Sequence, residues 1–135
     1  MKFQTLFLAL CGTGLTGCAT ATPSASSALV VTGVASETLG VLQPKLVSKQ
    51  GQLELIGWVY KMVGGPSTAA THLDLVFLDG ADRTLSVKTV QFEPRILRHA
   101  RPPAGRGHYT FSLDALPPGT VRIEVRAHDA PDHSA

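Results

Sequence analysis

Five side chains of the sequence carry the donor atoms that a transition-metal site needs. His72 and Asp74 are two residues apart in an alternating run, so their side chains point to the same face of a strand. His108 and His128 lie in two further runs, each on the phase opposite the apolar residues, and His133 follows near the end of the chain. Imidazole and carboxylate are suitable ligands for Zn, Cu or Ni. If these strands are neighbours, the sequence predicts a Zn or Cu site on a solvent-facing side of a sheet. The spacing favours the alternative of ordinary surface histidines, because no two of them have metal-ligand spacing within one element.

A basic segment lies between Glu93 and His108. Its side-chain charge is +3 with histidine neutral, from one glutamate and four arginines: Arg95, Arg98, Arg101 and Arg106. Guanidinium groups make bidentate contacts with phosphate or carboxylate, so one hypothesis is a loop for an anionic partner. The favoured alternative is a solvated loop whose charges aid solubility. No aromatic residue interleaves with the arginines, which argues against a platform for single-stranded nucleic acid.

Trp58 and Tyr60 stand in the longest β-prone run and allow two interpretations. They can mark a ligand-binding face. A tryptophan in a long central strand is more often a core anchor of a sandwich, and we favour the core position.

Catalysis has little support in the sequence. No G-x-S-x-G, H-E-x-x-H or phosphate-loop pattern occurs. Residues 12–17 match G-x-G-x-x-G, but a dinucleotide site needs this run between a strand and a helix. We therefore expect a protein that is not an enzyme.

The first residues have the order of an export signal. Lys2 supplies a positive charge, and residues 3–10 form an apolar run that is too short for a permanent membrane span of roughly 20 residues. The following Leu15-Thr16-Gly17-Cys18 resembles the lipobox of bacterial lipoproteins. The resemblance implies removal of residues 1–17, a diacylglycerol on the Cys18 thiol and an N-acyl chain such as palmitate. It also implies an envelope protein that is lipid-anchored in the membrane and faces the periplasm, and Ala19 after the cysteine is compatible with the outer membrane.

An alternative export route remains open. Ala19-Thr20-Ala21 has the small-x-small form that a general signal peptidase cuts after, which would release a soluble periplasmic protein beginning at Thr22. In the lipoprotein interpretation, Cys11 is lost with the signal and Cys18 carries the lipid. The mature domain then has neither a free thiol nor a disulfide.

Length and composition bound the rest of the molecule. The chain has 135 residues, 44% of them hydrophobic and 16% charged, with a formal net charge of +2. This balance excludes a disordered chain and argues against a protein that binds nucleic acid through its phosphates. Residues 18–27 contain the lipidated cysteine and a small, polar, flexible tether. We predict a single domain over 28–129 and a disordered tail over 130–135.

Seven short runs between turn residues predict the fold class. Pro44 makes the second run an edge strand or a broken one, residues 48–52 form a loop, and a slip near Val90 suggests a bulge. Asp79-Gly80 is a turn signal. The runs cover residues 28–34, 41–47, 53–62, 72–78, 85–92, 109–113 and 121–127. Six or seven strands at this spacing predict an all-β protein with a single antiparallel β-sandwich.

The phrases FLDGADRTL and FSLDALPPGTVRIEV resemble strand-turn-strand pieces of immunoglobulin-like and fibronectin-III-like domains in bacterial envelope proteins. The resemblance implies an Ig-like sandwich and carries no function. A transthyretin-like sandwich and a small β-barrel remain alternatives. The expected role is a binding or assembly module for an envelope protein or an anionic polymer, with a periplasmic metal-binding protein as the alternative.

Overall fold

The computed structural model describes residues 28–100 and 105–129. The predicted signal peptide, the tether with Cys18 and the tail with His133 lie outside the described residues, as does Arg101. Among the described residues, no helix is long and apolar enough to cross a membrane.

Alternating and apolar runs form eight strands, one or two more than the sequence predicts. The additional strand arises where Pro44 breaks the second run into two, because proline cannot donate to a strand ladder. The elements are β1 (Val30–Val34), β2 (Leu39–Val41), β3 (Lys45–Lys49), β4 (Gln52–Lys61), a 3-10 helix (Thr68–Ala70), β5 (His72–Leu78), β6 (Thr84–Val90), β7 (Arg106–Leu113) and β8 (Arg122–His128).

The strands form two sheets of a sandwich. The first sheet has the order β1-β8-β5-β6, and its β1–β8 pair is parallel while its other pairs are antiparallel. In the second sheet, the long β4 pairs with β2 and β3 along one edge and with β7 along the other. The prediction of a sandwich is confirmed, and the parallel pair is a departure from the antiparallel pattern expected.

A tight hairpin replaces most of the loop predicted over 48–52. Lys49 pairs with Gln52, so only Gln50 and Gly51 form the turn, and both have positive φ, 52° and 78°. Two-residue turns with positive φ match the twist of the flanking strands. This turn fixes the register of β3 against β4.

The core lies between the sheets. Leu55, Val59 and Tyr109 point inward from the second sheet, and Leu75 and Val125 meet them from the first. Their alternation along each strand sends every other side chain to the outer faces. The outer face of each sheet therefore carries the polar and aromatic candidates.

The predicted bulge is in a different place. Val90 pairs regularly with Leu73, whereas the register shifts at the opposite end of β6. There Phe77 pairs with Ser86 and Leu78 pairs with Thr84, so Leu85 is the additional residue. The prediction of a slip near Val90 is wrong.

Candidate functional site

Two of the predicted histidines meet on the outer face of the first sheet. His72 begins β5 and His128 ends β8, and the two are direct partners across this antiparallel pair. The Nε2 atom of His72 lies 3.3 Å from Nδ1 of His128, with the rings edge-on and their centroids 5.0 Å apart. The third member is Asp74, two residues along β5 on the same face.

The carboxylate of Asp74 faces both rings. Its Oδ1 atom lies 3.5 Å from His72 Nε2, and its Oδ2 atom lies 3.6 Å from His128 Nδ1. The Thr89 hydroxyl on β6 donates to Asp74 Oδ1 at 3.2 Å. One donor atom from each of the three residues can be chosen so that all lie within 4.8 Å of one another.

Neighbouring groups hold this cluster in place. The chain directly after His128 is fixed because the Asp129 carboxylate accepts a 2.6 Å hydrogen bond from the Ser36 hydroxyl and a 3.3 Å bond from the Thr38 backbone N–H. Arg126, the Cα partner of Asp74, donates to Glu124 at 2.8 Å instead. The cation opposite Asp74 is therefore already paired.

The predicted exposure of His72 is wrong. The residue is 1% exposed although it points away from the core. The His128 ring on the neighbouring strand β8 packs edge-on against His72, and the Asp74 carboxylate lies beside it on the same face.

His108 does not join this cluster. It lies on β7 in the second sheet, where it is exposed and its ring centroid is 5.8 Å from that of Trp58. The predicted site of three histidines is thus reduced to His72, Asp74 and His128 among the described residues. His133 lies outside them.

The outer face of the second sheet carries exposed aromatic side chains, contrary to the core position favoured for Trp58. Trp58 is 51% exposed and Tyr60 is 38% exposed. Both share the outward phase of β4 with Glu54, while Leu55 and Val59 fill the core. A carboxylate on the same phase is the sequence signal that could have placed Trp58 outside.

Basic side chains surround these aromatics. We define the aromatic–basic face as the following outward set: Lys45, Trp58, Tyr60, Arg98, Arg106 and His108. Arg98 and Arg106 also line a cleft of about 510 Å³ beside Tyr60, together with Leu42 and Met62. Two of the four predicted loop arginines thus lie beside the aromatic side chains.

Arg95 has a different place. Its guanidinium donates to the Ala69 carbonyl at 3.0 Å and lies 5.1 Å from the centroid of the Phe92 ring. The Thr68 hydroxyl donates to the Arg95 carbonyl at 2.9 Å and accepts from the Leu97 N–H at 2.8 Å. These contacts tie this part of the basic segment to the 3-10 helix, so Arg95 acts in packing and is not a solvated charge.

Comparison of the chain with protein-family models, curated proteins and solved structures finds no match.

Proposed function

We propose that this chain is a lipid-anchored, non-enzymatic binding module of the bacterial envelope that faces the periplasm and holds an acidic protein partner on its aromatic–basic face. The observation that carries the proposal is the outward position of Trp58 and Tyr60 beside Arg106. Tryptophan, tyrosine and arginine are the residues most enriched among those that dominate binding energy at protein interfaces.

The charges around the aromatic side chains favour an acidic partner. Lys45, Arg98 and Arg106 are exposed cations, and the exposed Glu93, which pairs with His108 through the backbone, is the carboxylate beside them. A second carboxylate, Glu54, shares the outward phase of β4 with Trp58, so three cations against two carboxylates leave a local charge of +1. Complementary charge accelerates encounter and excludes partners of the same sign.

The cleft beside Tyr60 supplies a concave element. It lies next to the exposed Arg98 and Arg106, and at about 510 Å³ it can receive a large side chain of a partner. Anchor side chains that enter such pockets are typical of the centre of a protein interface.

The membrane anchor in this proposal rests on Cys18 and the lipobox. Two or more acyl chains suffice for stable anchoring because each buried methylene contributes about 0.8 kcal/mol. The nine residues 19–27 span at most about 30 Å when extended, so the domain would bind its partner close to the membrane surface.

Photocrosslinking in intact cells tests the binding face. A photoreactive residue replaces Thr110, which is exposed and points outward from β7, and the matched control carries it at Val87 on the outer face of the first sheet. We expect a discrete protein adduct from position 110 and none from position 87. Adding Trp58→Ala to the Thr110 variant should remove most of the adduct.

Three outcomes would contradict the binding face. They are equal adducts from both positions, an adduct that survives Trp58→Ala together with Arg106→Gln, and an adduct that is polysaccharide or lipid.

The anchor has its own test. Cys18→Ser should abolish incorporation of labelled fatty acid and shift the protein from the membrane to the soluble fraction, whereas Cys11→Ser should preserve the label. Undiminished labelling of the Cys18 variant would refute lipidation at this position.

A further inference from the structure

We propose that His72, Asp74 and His128 form a binding site for a divalent transition-metal ion of the zinc type. The site lies on the outer face of the first sheet and is separate from the aromatic–basic face, which belongs to the second. It supplies two imidazole nitrogens and one carboxylate, a set that suits Zn²⁺ better than Mg²⁺ or Ca²⁺, which prefer oxygen ligands alone.

The distances between the donor atoms fit one ion. Bonds of about 2.0–2.1 Å at a tetrahedral angle separate two ligand atoms by about 3.3–3.4 Å. The separations are 3.3 Å between the two imidazole nitrogens, 3.5 Å from His72 Nε2 to Asp74 Oδ1 and 3.6 Å from His128 Nδ1 to Asp74 Oδ2. One ion between the rings would be held either by both oxygens of Asp74 or by one oxygen after the carboxylate turns.

The backbone holds the donors in position before any ion binds. His72 and His128 are opposite each other in the β5–β8 ladder, and Asp74 follows on the same face of β5. Ligands that project from paired strands are positioned more firmly than ligands on loops. Folding therefore already orders the ligands, so binding of the ion costs little further entropy.

The surroundings of Asp74 support its role as a ligand. The Thr89 hydroxyl donates to one carboxylate oxygen, an outer contact that orients a ligating carboxylate. Arg126, which stands opposite Asp74, is bonded to Glu124 at 2.6 Å and 2.8 Å. A cation is thus kept away from the position where the ion would sit.

The burial of the three residues indicates an exchangeable site. The side chain of His72 is 2% exposed, that of Asp74 is 19% exposed and that of His128 is 39% exposed. An ion held by these three of the described residues alone would keep a fourth position for water or a ligand, whereas structural zinc sites are closed by four protein ligands. The site therefore suits capture and release of zinc.

Zinc titration of the full-length chain in detergent tests the proposal. We expect one Zn²⁺ per chain in a competition assay against a zinc indicator and a rise in the melting temperature, because an ion that binds only the folded state stabilises it. Mg²⁺ at the same concentration should produce no shift.

Matched variants locate the ion. His128→Ala and Asp74→Asn should each weaken zinc binding by at least about 100-fold, and His108→Ala, which removes an exposed histidine from the other sheet, should leave it unchanged. His128 and Asp74 are chosen because they are partly exposed, while replacing the buried His72 can unfold the sheet. Circular dichroism checks that each variant is folded.

Three outcomes would overturn the site. They are an absence of zinc binding at millimolar concentration, wild-type affinity in His128→Ala or Asp74→Asn, and an equal loss in His108→Ala. An absence of zinc binding with wild-type melting behaviour in the variants would identify the three residues as a hydrogen-bonded cluster alone. The first two outcomes leave crosslinking from Thr110 unaffected, so this inference can fail without the proposed function.

Discussion

On the first sheet, Val76 points outward and is 5% exposed, whereas on the second sheet Trp58 points outward and is 51% exposed. Both residues lie on strands with neighbours on each side, β5 and β4. The difference comes from the side chains beside them. Val76 stands between Glu124 and Val87, and Glu124 is bonded to arginines on both sides.

On the second sheet, one of the two direct neighbours of Tyr60 is a glycine. A Cβ atom at Gly40, the direct partner of Tyr60, would lie 2.2 Å from the Tyr60 ring, so this ring covers the bare backbone of β2. The tyrosine thereby shields Gly40 and still remains 38% exposed. Strand phase thus decides which way a side chain points, while its cross-strand neighbours decide whether it reaches solvent.

The largest expected effect comes from a core substitution that should disturb the second sheet and leave the first sheet unchanged. Gly57→Ala places a Cβ atom 2.2 Å from the Tyr109 hydroxyl oxygen, which must shift together with the β4–β7 pairing. We expect a loss of about 1–3 kcal/mol in the free energy of unfolding, measured with urea. Because the strain falls on the second sheet, crosslinking from Thr110 should drop while the zinc affinity of the folded protein stays within about twofold, well below the 10-fold effect of a lost outer contact.

Gly80→Ala is the matched control, since no atom lies within 4 Å of the added Cβ there. Equal destabilisation by the two substitutions would show that Gly57 has no special packing role. A parallel loss of zinc binding in Gly57→Ala would show that the two faces are coupled.

The next largest effect is expected when the hydrogen bond that orients the Asp74 carboxylate is removed. Thr89→Val removes the hydroxyl that donates to Asp74 while retaining the shape of the side chain. We expect zinc affinity to fall by about tenfold with little change in stability. Thr32→Val, on β1 in the same sheet and opposite Glu124, should leave the affinity unchanged. Equal affinities in all three proteins would remove Thr89 from the site.

Local sequence patterns predicted much of the fold. The alternating run His72–Leu78 predicted β5 with its observed bounds, and Pro44 marks the break between β2 and β3. The pairing of β1 with β8 could not be predicted, because it joins residues about 90 positions apart whose register no local pattern records. The sandwich itself follows from strand number and spacing.

The candidate sites were predicted less completely for the same reason. The residue types of His72, Asp74 and His128 indicate a metal site, but only the register across β5 and β8 selects these three and excludes His108. The exposure of Trp58 depends on side chains from other strands, which its own run does not specify. The alternation of residues along each strand therefore identified the candidate residues. The pairing of strands far apart in the sequence determined which of them lie together.

A smaller effect concerns Tyr109, which lies directly behind the aromatic–basic face. Its hydroxyl is buried and has no hydrogen-bond partner among the described residues, and burial raises the pKa of the phenol. Tyr109→Phe should therefore change the free energy of unfolding by less than about 1 kcal/mol at neutral pH. Both zinc affinity and crosslinking from Thr110 should be retained.

The pH dependence of Tyr109 has a defined sign. Because its pKa is higher in the folded protein, the neutral phenol favours folding and this contribution is lost as pH rises above the unfolded value of about 10. Wild type should lose stability in this alkaline range more steeply than Tyr109→Phe. Parallel curves from urea unfolding between neutral and alkaline pH would contradict the burial of the ionisable group.

The smallest expected effect is on tryptophan fluorescence. Zinc bound at the first sheet should leave the fluorescence from the aromatic–basic face unchanged. Trp58 is the single tryptophan of the chain, so fluorescence excited selectively at tryptophan reports the aromatic–basic face. Saturating Zn²⁺ should leave the emission maximum and quenching by iodide unchanged, because the proposed ligands lie on the other sheet. A zinc-dependent shift that disappears in His108→Ala and persists in His128→Ala would place the ion beside Trp58, and the division of roles between the two sheets would then be wrong.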